Sequence, residues 1–171
     1  MKIFRIIFIV IILIITGLNL YIVSRVGYPY VAYFNFKEPK TIHYKKGEVV
    51  TPLGNLNFDE GDWVAYIHIH YDDFTDLHRS IPKWGLLKST DVKLFKRMKK
   101  DWKFRYSGGD VATVQSQIIF YCNGKGVFES GIVLDDNFQC LQSEKFGCLE
   151  GPNLVKSCSQ FEKTYFPVIT F

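Results

Sequence analysis

The sequence predicts an α+β fold: a mainly antiparallel, twisted β-sheet with one packed amphipathic helix, preceded by an N-terminal transmembrane helix. Three observations predict it. Aromatic residues make up 16% of the 171-residue chain, with 15 Phe and 10 Tyr, and such residues favour strands. Residues 62–71 alternate between apolar side chains and a more polar set, as half-buried strands do. Residues 6–23 form a long apolar stretch near the N-terminus.

The N-terminal stretch resembles a secretory signal in its layout. Two cations, Lys2 and Arg5, precede an unbroken apolar run over residues 6–16. Small residues suited to signal cleavage are scarce, because no alanine occurs before Ala32. The whole stretch approaches the roughly 20 residues that cross the hydrocarbon core of a bilayer. We therefore predict a retained signal-anchor over residues 1–25 that passes the membrane once, with a cleaved signal as the alternative.

Residues 26–171 are predicted to form one extracytoplasmic α+β domain on the periplasmic or extracellular side. The cysteines support this location, because an even number of them in a small domain outside the cytoplasm indicates disulfides. Two disulfides have three alternative pairings, of which we prefer Cys122 with Cys140. A four-cysteine zinc site is disfavoured, since such sites use closely spaced C-x-x-C pairs. The predicted disulfide cysteines are Cys122, Cys140, Cys148 and Cys158.

Two strands are predicted in the first half of the domain. Residues 48–51 predict a short strand that ends at Pro52, which lacks a backbone donor. Residues 62–71 predict a stronger one, because its odd-numbered positions from Trp63 to Tyr71 are apolar. Successive side chains of a strand point to opposite faces, so these positions are expected to face the core.

The clearest helix covers residues 91–102, with Asp91 among its candidate N-caps. Phe95, Met98 and Trp102 lie on one stripe at helical spacing and are expected to pack on the sheet. The other face is basic, which suits anionic lipid or an acidic protein. Solvated lysines on a surface helix are the simpler interpretation. The basic patch consists of Lys93, Lys96, Arg97, Lys99 and Lys100.

A hairpin is predicted next along the chain. Residues 110–122 form its first strand, Asn123 and Gly124 supply a turn in which both residues tolerate positive φ, and residues 127–134 return. The cysteine-bearing region that follows is predicted to consist of irregular loops or short strands. The C-terminal segment is expected to be an edge strand, because Pro167 removes a ladder donor.

The most suggestive chemistry is a candidate metal site at His68, His70 and Asp72. Two histidines that are two residues apart on a strand point the same way and can share a metal ion. With an aspartate they suit zinc or another divalent transition metal. The simpler interpretation places both histidines on the exposed face of the strand, with the aspartates in the turn that ends it.

Composition narrows the functional classes. The net charge is only +4 at pH 7, which argues against nucleic acid as a partner. The sequence has no glycine-rich phosphate loop or nucleotide fingerprint. We therefore predict a non-catalytic module that needs no cofactor and binds a protein or an envelope component, of the inhibitor, immunity or assembly-factor type. Its other partner is the membrane. The alternative is a metal-dependent hydrolase with a small His/Asp metal site.

Overall fold

The computed structural model describes residues 2–26, 43–108, 114–143 and 146–164. Within these residues, nine strands form one sheet in the order β1-β4-β8-β7-β6-β5-β2-β3-β9. All neighbouring strands are antiparallel, so the predicted antiparallel α+β architecture is confirmed. The strands are β1 Val49–Val50, β2 Trp63–His68, β3 Leu86–Ser89, β4 Phe104–Tyr106, β5 Gln117–Cys122, β6 Lys125–Leu134, β7 Gln139–Ser143, β8 Gly147–Glu150 and β9 Glu162–Lys163.

The predicted amphipathic helix is present as α2, Val92–Asp101. Asp91 caps it, because its carboxylate accepts a hydrogen bond of 2.8 Å from the Lys93 backbone N–H. The predicted apolar stripe is fully buried, with Phe95, Met98 and Trp102 each 0% exposed. The other α-helices of the described chain are α1, Lys2–Val26, and α3, Leu154–Cys158.

The core lies between α2 and one face of the sheet. The odd-numbered residues of β2, from Trp63 to Ile67, are buried as predicted. Phe120 on the neighbouring β5 is also fully buried, and its ring meets the ring of Phe95 edge-on at 5.3 Å between centroids. Phe58 packs against the same two rings, at 6.0 and 5.7 Å. Edge-on aromatic packing of this kind stabilises the contact between helix and sheet.

The predicted hairpin is formed by β5 and β6. Asn123 and Gly124 have φ angles of 50° and 73°, as the tight turn requires. The register shifts between Phe120 and Tyr121, which pair with Phe128 and Gly126, so Val127 is an extra residue in β6. The first strand begins at Gln117 rather than at residue 110; residues 109–113 lie outside the described residues.

The cysteine-bearing region is more regular than expected. Two short strands, β7 and β8, pair with each other and extend the sheet from β6 towards β4. Helix α3 follows and was not anticipated, because it has only five residues and no side-chain cap. The C-terminal edge strand is predicted over residues 161–171, and the described part of this segment contains β9, which ends the sheet beside β3. Pro167 lies outside the described residues.

All four cysteines are free thiols in this structure, so neither of the two expected disulfides is formed. The preferred pairing of Cys122 with Cys140 does not fit the sheet. Strand β6 separates them, with Cys122 opposite Lys125 and Cys140 opposite Val133. Eight residues of β6 span roughly 26 Å at about 3.3 Å per residue, whereas a disulfide joins Cα atoms less than about 7 Å apart.

Helix α1 places an apolar surface on the outside of the molecule. Its described large apolar side chains, which begin at Phe4 and end at Leu20, are between 47% and 83% exposed. The predicted N-terminal helix is therefore confirmed, whereas its role as a membrane span is not. Among the residues that the structure describes, no helix combines the length and the hydropathy that a membrane crossing requires.

We expect Gly61→Ala to lower the free energy of unfolding by about 1–3 kcal/mol. Gly61 has a φ of +84°, and a Cβ there would lie 2.7 Å from the Cys122 Sγ atom. Gly124→Ala is the matched control, because Gly124 has a φ of +73° with nothing within 4 Å of the added Cβ. In the control, the free energy of unfolding should fall only by the cost of placing alanine at a positive φ, about 1 kcal/mol. Urea denaturation checks this, and equal losses would contradict the steric argument.

Candidate functional site

An acidic cavity of about 240 Å³ lies where the chain leaves β2 and where β6 ends. Its carboxylates belong to Asp73, Asp76 and Asp135. Apolar side chains form much of the remaining wall, and Ser116 and Gln142 add polar groups. Ligand sites in proteins have this character, a largely apolar cavity with a few convergent polar groups. The apolar wall includes Ile69, Leu77, Ile132, Leu134 and Phe138.

Backbone hydrogen bonds attach the two walls of the cavity to each other. A 3₁₀ helix, Tyr71–Phe74, carries the first carboxylate. Beyond it, the His78 N–H donates to the Leu134 carbonyl at 2.8 Å. Leu77 also forms an antiparallel bridge with Asp135. The loop after β2 is thereby attached to the end of β6, and Asp73, Asp76 and Asp135 all line the cavity between them.

Ser116 orients one of these carboxylates. Its Oγ atom accepts a hydrogen bond of 2.9 Å from the His70 backbone N–H. The same hydroxyl donates its proton to Oδ2 of Asp73. Through these two hydrogen bonds, Ser116 connects the His70 backbone to Asp73 and holds that carboxylate in place.

The cavity is strongly negative. Burial raises the pKa of Asp135 above its usual range, and the charges of Asp76, Asp73 and Asp136 raise it further. In the described ranges, the one ion pair between a carboxylate and a lysine or arginine joins Lys96 to Asp59, which precedes β2 at its far end. The cavity carboxylates therefore repel one another, and none of them forms an ion pair with a lysine or arginine of the described residues.

The predicted metal-site residues lie beside this cavity. His70 Nδ1 is 3.4 Å from Oδ2 of Asp72, and the same nitrogen faces the Asp72 backbone N–H at the start of the 3₁₀ helix. Burial lowers the pKa of His68, and the proximity of His70 lowers it further. Over the described part of the chain, no group of three or more His, Cys, Asp or Glu side chains is arranged to hold a metal ion. The zinc or transition-metal site therefore stays a prediction. The described residues do not provide a third ligand for it.

The predicted basic patch is largely occupied by contacts within the domain. Lys96 pairs with Asp59, and Arg97 donates to Gln160 Oε1 at 2.8 Å. Lys99 Nζ donates to the backbone carbonyl of Leu56 at 2.6 Å. The two other members of the patch, Lys93 and Lys100, are exposed. The cations mainly fasten α2 to the loop before β2 and to the turn after α3.

Sequence reasoning missed Asp135 as a functional candidate. The segment around Asp73 and Asp76 is conspicuously acidic in sequence, but Asp135 is 59 residues beyond Asp76. The usable signal is that two consecutive aspartates, Asp135 and Asp136, directly follow β6. Their meeting with the other acidic loop depends on a long-range bridge that no local pattern encodes.

Comparisons with protein-family models, curated proteins and solved structures found no match. The geometry of the cavity and of helix α1 is thus the basis for assigning a function.

We expect Asp135→Asn to stabilise the domain modestly at pH 7. The folded-state pKa of Asp135 is raised from its ordinary 3.8, so folding is opposed by its charge once the pH exceeds that raised value. Below pH 3.8 the group is protonated in both states and has no effect. The advantage of the variant should therefore shrink as pH falls through the raised pKa.

Urea denaturation at pH 7 and at successively lower pH checks this expectation. Asp62→Asn is the matched control, because Asp62 is an exposed aspartate at the opposite end of β2. The control should leave stability nearly unchanged at both ends of the pH range. A loss of stability at pH 7 in Asp135→Asn would contradict the raised pKa.

Proposed function

We propose that this chain is a non-catalytic, membrane-anchored module whose domain lies outside the cytoplasm and binds a cationic group of a protein or envelope component. The observation that carries the proposal is the cavity with three carboxylates and apolar walls. An ammonium or guanidinium group on an apolar stem is the complement of such a surface. Inhibitors, immunity proteins and assembly factors need only a rigid recognition surface of this kind.

The electrostatics of the cavity favour a cationic occupant. Burial raises the pKa of Asp135, and repulsion from the charges of Asp76 and Asp73 raises it further. An incoming cation would relieve that repulsion and form charge-assisted hydrogen bonds, which are stronger than neutral ones. The apolar wall would meanwhile bury the methylene or aromatic stem of the same group.

Helix α1 supports the membrane part of the proposal. Its exposed apolar side chains occur at nearly every position from Phe4 to Leu18 and so surround the helix. A helix that is apolar on all sides requires an apolar environment, such as a bilayer. Lys2 and Arg5 precede the apolar run as cations do in secretory signals, which deliver the chain that follows them across the membrane. The domain that follows α1 would then lie on the other side of the membrane.

Ligand binding tests the cavity. Benzylammonium is the probe, and benzyl alcohol, which is similar in shape and uncharged, is the control ligand. NMR spectra of the full chain in detergent should show benzylammonium shifting the amide signals of Ser116 and Leu134. Asp73→Asn should weaken binding by about tenfold, because a charge-assisted hydrogen bond is lost. Asp62→Asn removes the same charge elsewhere and should retain wild-type affinity.

Equal binding of benzyl alcohol and benzylammonium would contradict a cation site. Equal weakening by Asp73→Asn and Asp62→Asn would also contradict it, because the effect would then arise from net charge alone.

The location of the domain is tested with the protein's own thiol. Cys122 is partly exposed, whereas Cys140, Cys148 and Cys158 are buried. A membrane-impermeant maleimide added to reduced spheroplasts should therefore label the full chain at Cys122, and Cys122→Ser should abolish the label. Labelling only after lysis would place the domain in the cytoplasm and overturn the proposed location.

A further inference from the structure

A pair of cysteines lies on neighbouring strands of the sheet. In the β7–β8 hairpin, Cys140 is opposite Glu150 and Cys148 is opposite Gln142. On each strand the two residues are two positions apart, so all four side chains lie on one face of the hairpin. Cys140 and Cys148 are therefore diagonal neighbours across the two strands. They are 0% and 4% exposed.

The two thiols interact directly. The Cys140 pKa is raised to about 12, first by burial and then by Cys148, through its charge and a thiol–thiol hydrogen bond. Gln142 is opposite Cys148 in the register, and its side-chain amide donates to Cys140 Sγ at 3.3 Å. Its own Oε1 is buried and has no hydrogen-bond partner among the described residues. The two thiols are thus buried next to each other on one face of the hairpin.

The other two cysteines are far from this pair or on the wrong face. Cys122 is separated from Cys140 by strand β6 and by eight residues of register. Cys158 belongs to the main core together with Leu141 and Leu149. Those leucines alternate with Cys140 and Cys148 along β7 and β8, so Cys158 faces the opposite side of the sheet.

We propose that Cys140 and Cys148 form one intramolecular disulfide when the chain folds in an oxidising compartment, while Cys122 and Cys158 remain thiols. The inference deepens the proposed function, since an oxidising environment rests on the extracytoplasmic location. It replaces the expected pair of disulfides by a single strand-to-strand bond. Diagonal Cα atoms in a sheet are about 7–8 Å apart, so closing the bond draws β7 and β8 slightly together.

The oxidant is a low-molecular-weight disulfide. One cysteine thiolate attacks it, forms a mixed disulfide and releases one small thiolate. The second cysteine thiolate then attacks the protein sulfur of the mixed disulfide and releases the other small thiolate. Both cysteines are oxidised, the small disulfide is reduced to two thiols, and the two cysteine protons pass to them. The exchange occurs before the sheet closes, because folding buries Cys140 and keeps it protonated.

The test is to refold the full reduced chain from urea into detergent with oxidised and reduced glutathione. Remaining thiols are then alkylated with iodoacetamide under denaturing conditions, and the peptides are identified by mass spectrometry. We expect alkylation of Cys122 and Cys158 and a peptide that links Cys140 to Cys148. In Cys140→Ser the three remaining cysteines should all be alkylated.

Wild-type chain that is alkylated at all four cysteines after refolding would overturn the proposal, and so would a bond that involves Cys122 or Cys158. These outcomes are scored on wild-type chain and do not depend on the folding of the variant. The same peptides from chain isolated from cells test the location separately. A bond formed in glutathione but missing in the cells would support the pairing and contradict the proposed compartment.

Discussion

Trp102→Ala is expected to lower the free energy of unfolding by about 3–5 kcal/mol, the range for large-to-small changes at buried aromatic residues. Trp102 is the largest fully buried side chain of the described structure. Its ring packs edge-on against Phe104, with 5.7 Å between centroids. Its indole N–H donates to Ser157 Oγ at 3.2 Å and so connects α2 to α3. Truncation would leave a cavity between these elements.

Urea denaturation of the full chain in detergent, followed by circular dichroism, measures this loss. Ser157→Ala separates the hydrogen bond from the packing, because it removes the acceptor and keeps the indole. Its expected cost is about 1–3 kcal/mol, since the buried indole N–H loses its partner. If Trp102→Ala costs no more than Ser157→Ala, the packing contribution assigned to the ring is wrong.

The second large effect is expected in helix α1. Leu13 and Ile14 are 65% and 57% exposed near the middle of the helix. Under the proposed anchoring they face lipid, and a lysine at the centre of a membrane helix costs about 2.5–3.5 kcal/mol. The double variant Leu13→Lys/Ile14→Lys should therefore leave the membrane fraction, or fail to insert, while the sheet domain remains folded.

Membrane flotation of the full chain measures this redistribution, and Trp fluorescence reports the fold of the domain. Leu13→Ile/Ile14→Leu is the matched control, because it changes the same positions and keeps them apolar. The control should float with the membranes as wild type does. Equal flotation of the lysine variant would contradict anchoring by α1.

Local patterns in the sequence account for the elements that were predicted well. Strand β2 was recognised because its apolar residues recur at every second position. Helix α2 was recognised because Phe95, Met98 and Trp102 recur at helical spacing beside the cap Asp91. The β5–β6 turn was recognised because Asn123 and Gly124 tolerate positive φ. Each signal is contained within about a dozen residues, and the tertiary structure did not override it.

Other elements carried weak local signals. Strand β3 has four residues and was not anticipated. Its polar Lys88 and Ser89 blur the apolar pattern, and its place follows from pairing with β2 and β9. The regularity of β7 and β8 likewise depends on pairing with β6 and β4. Short strands gain their stability from neighbours that are distant in sequence, so their own residues define them poorly.

Periodicity and turn chemistry are local properties, and from them an antiparallel α+β domain behind an apolar N-terminal helix is predictable. Contacts between side chains that are distant in sequence follow from the tertiary structure alone. It brought Asp135 to Asp73 and Asp76 through the Leu77 bridge, and it placed Cys140 beside Cys148 rather than Cys122. These meetings depend on strand order and register. Both are set by burial of the whole core, which no single segment of the chain contains.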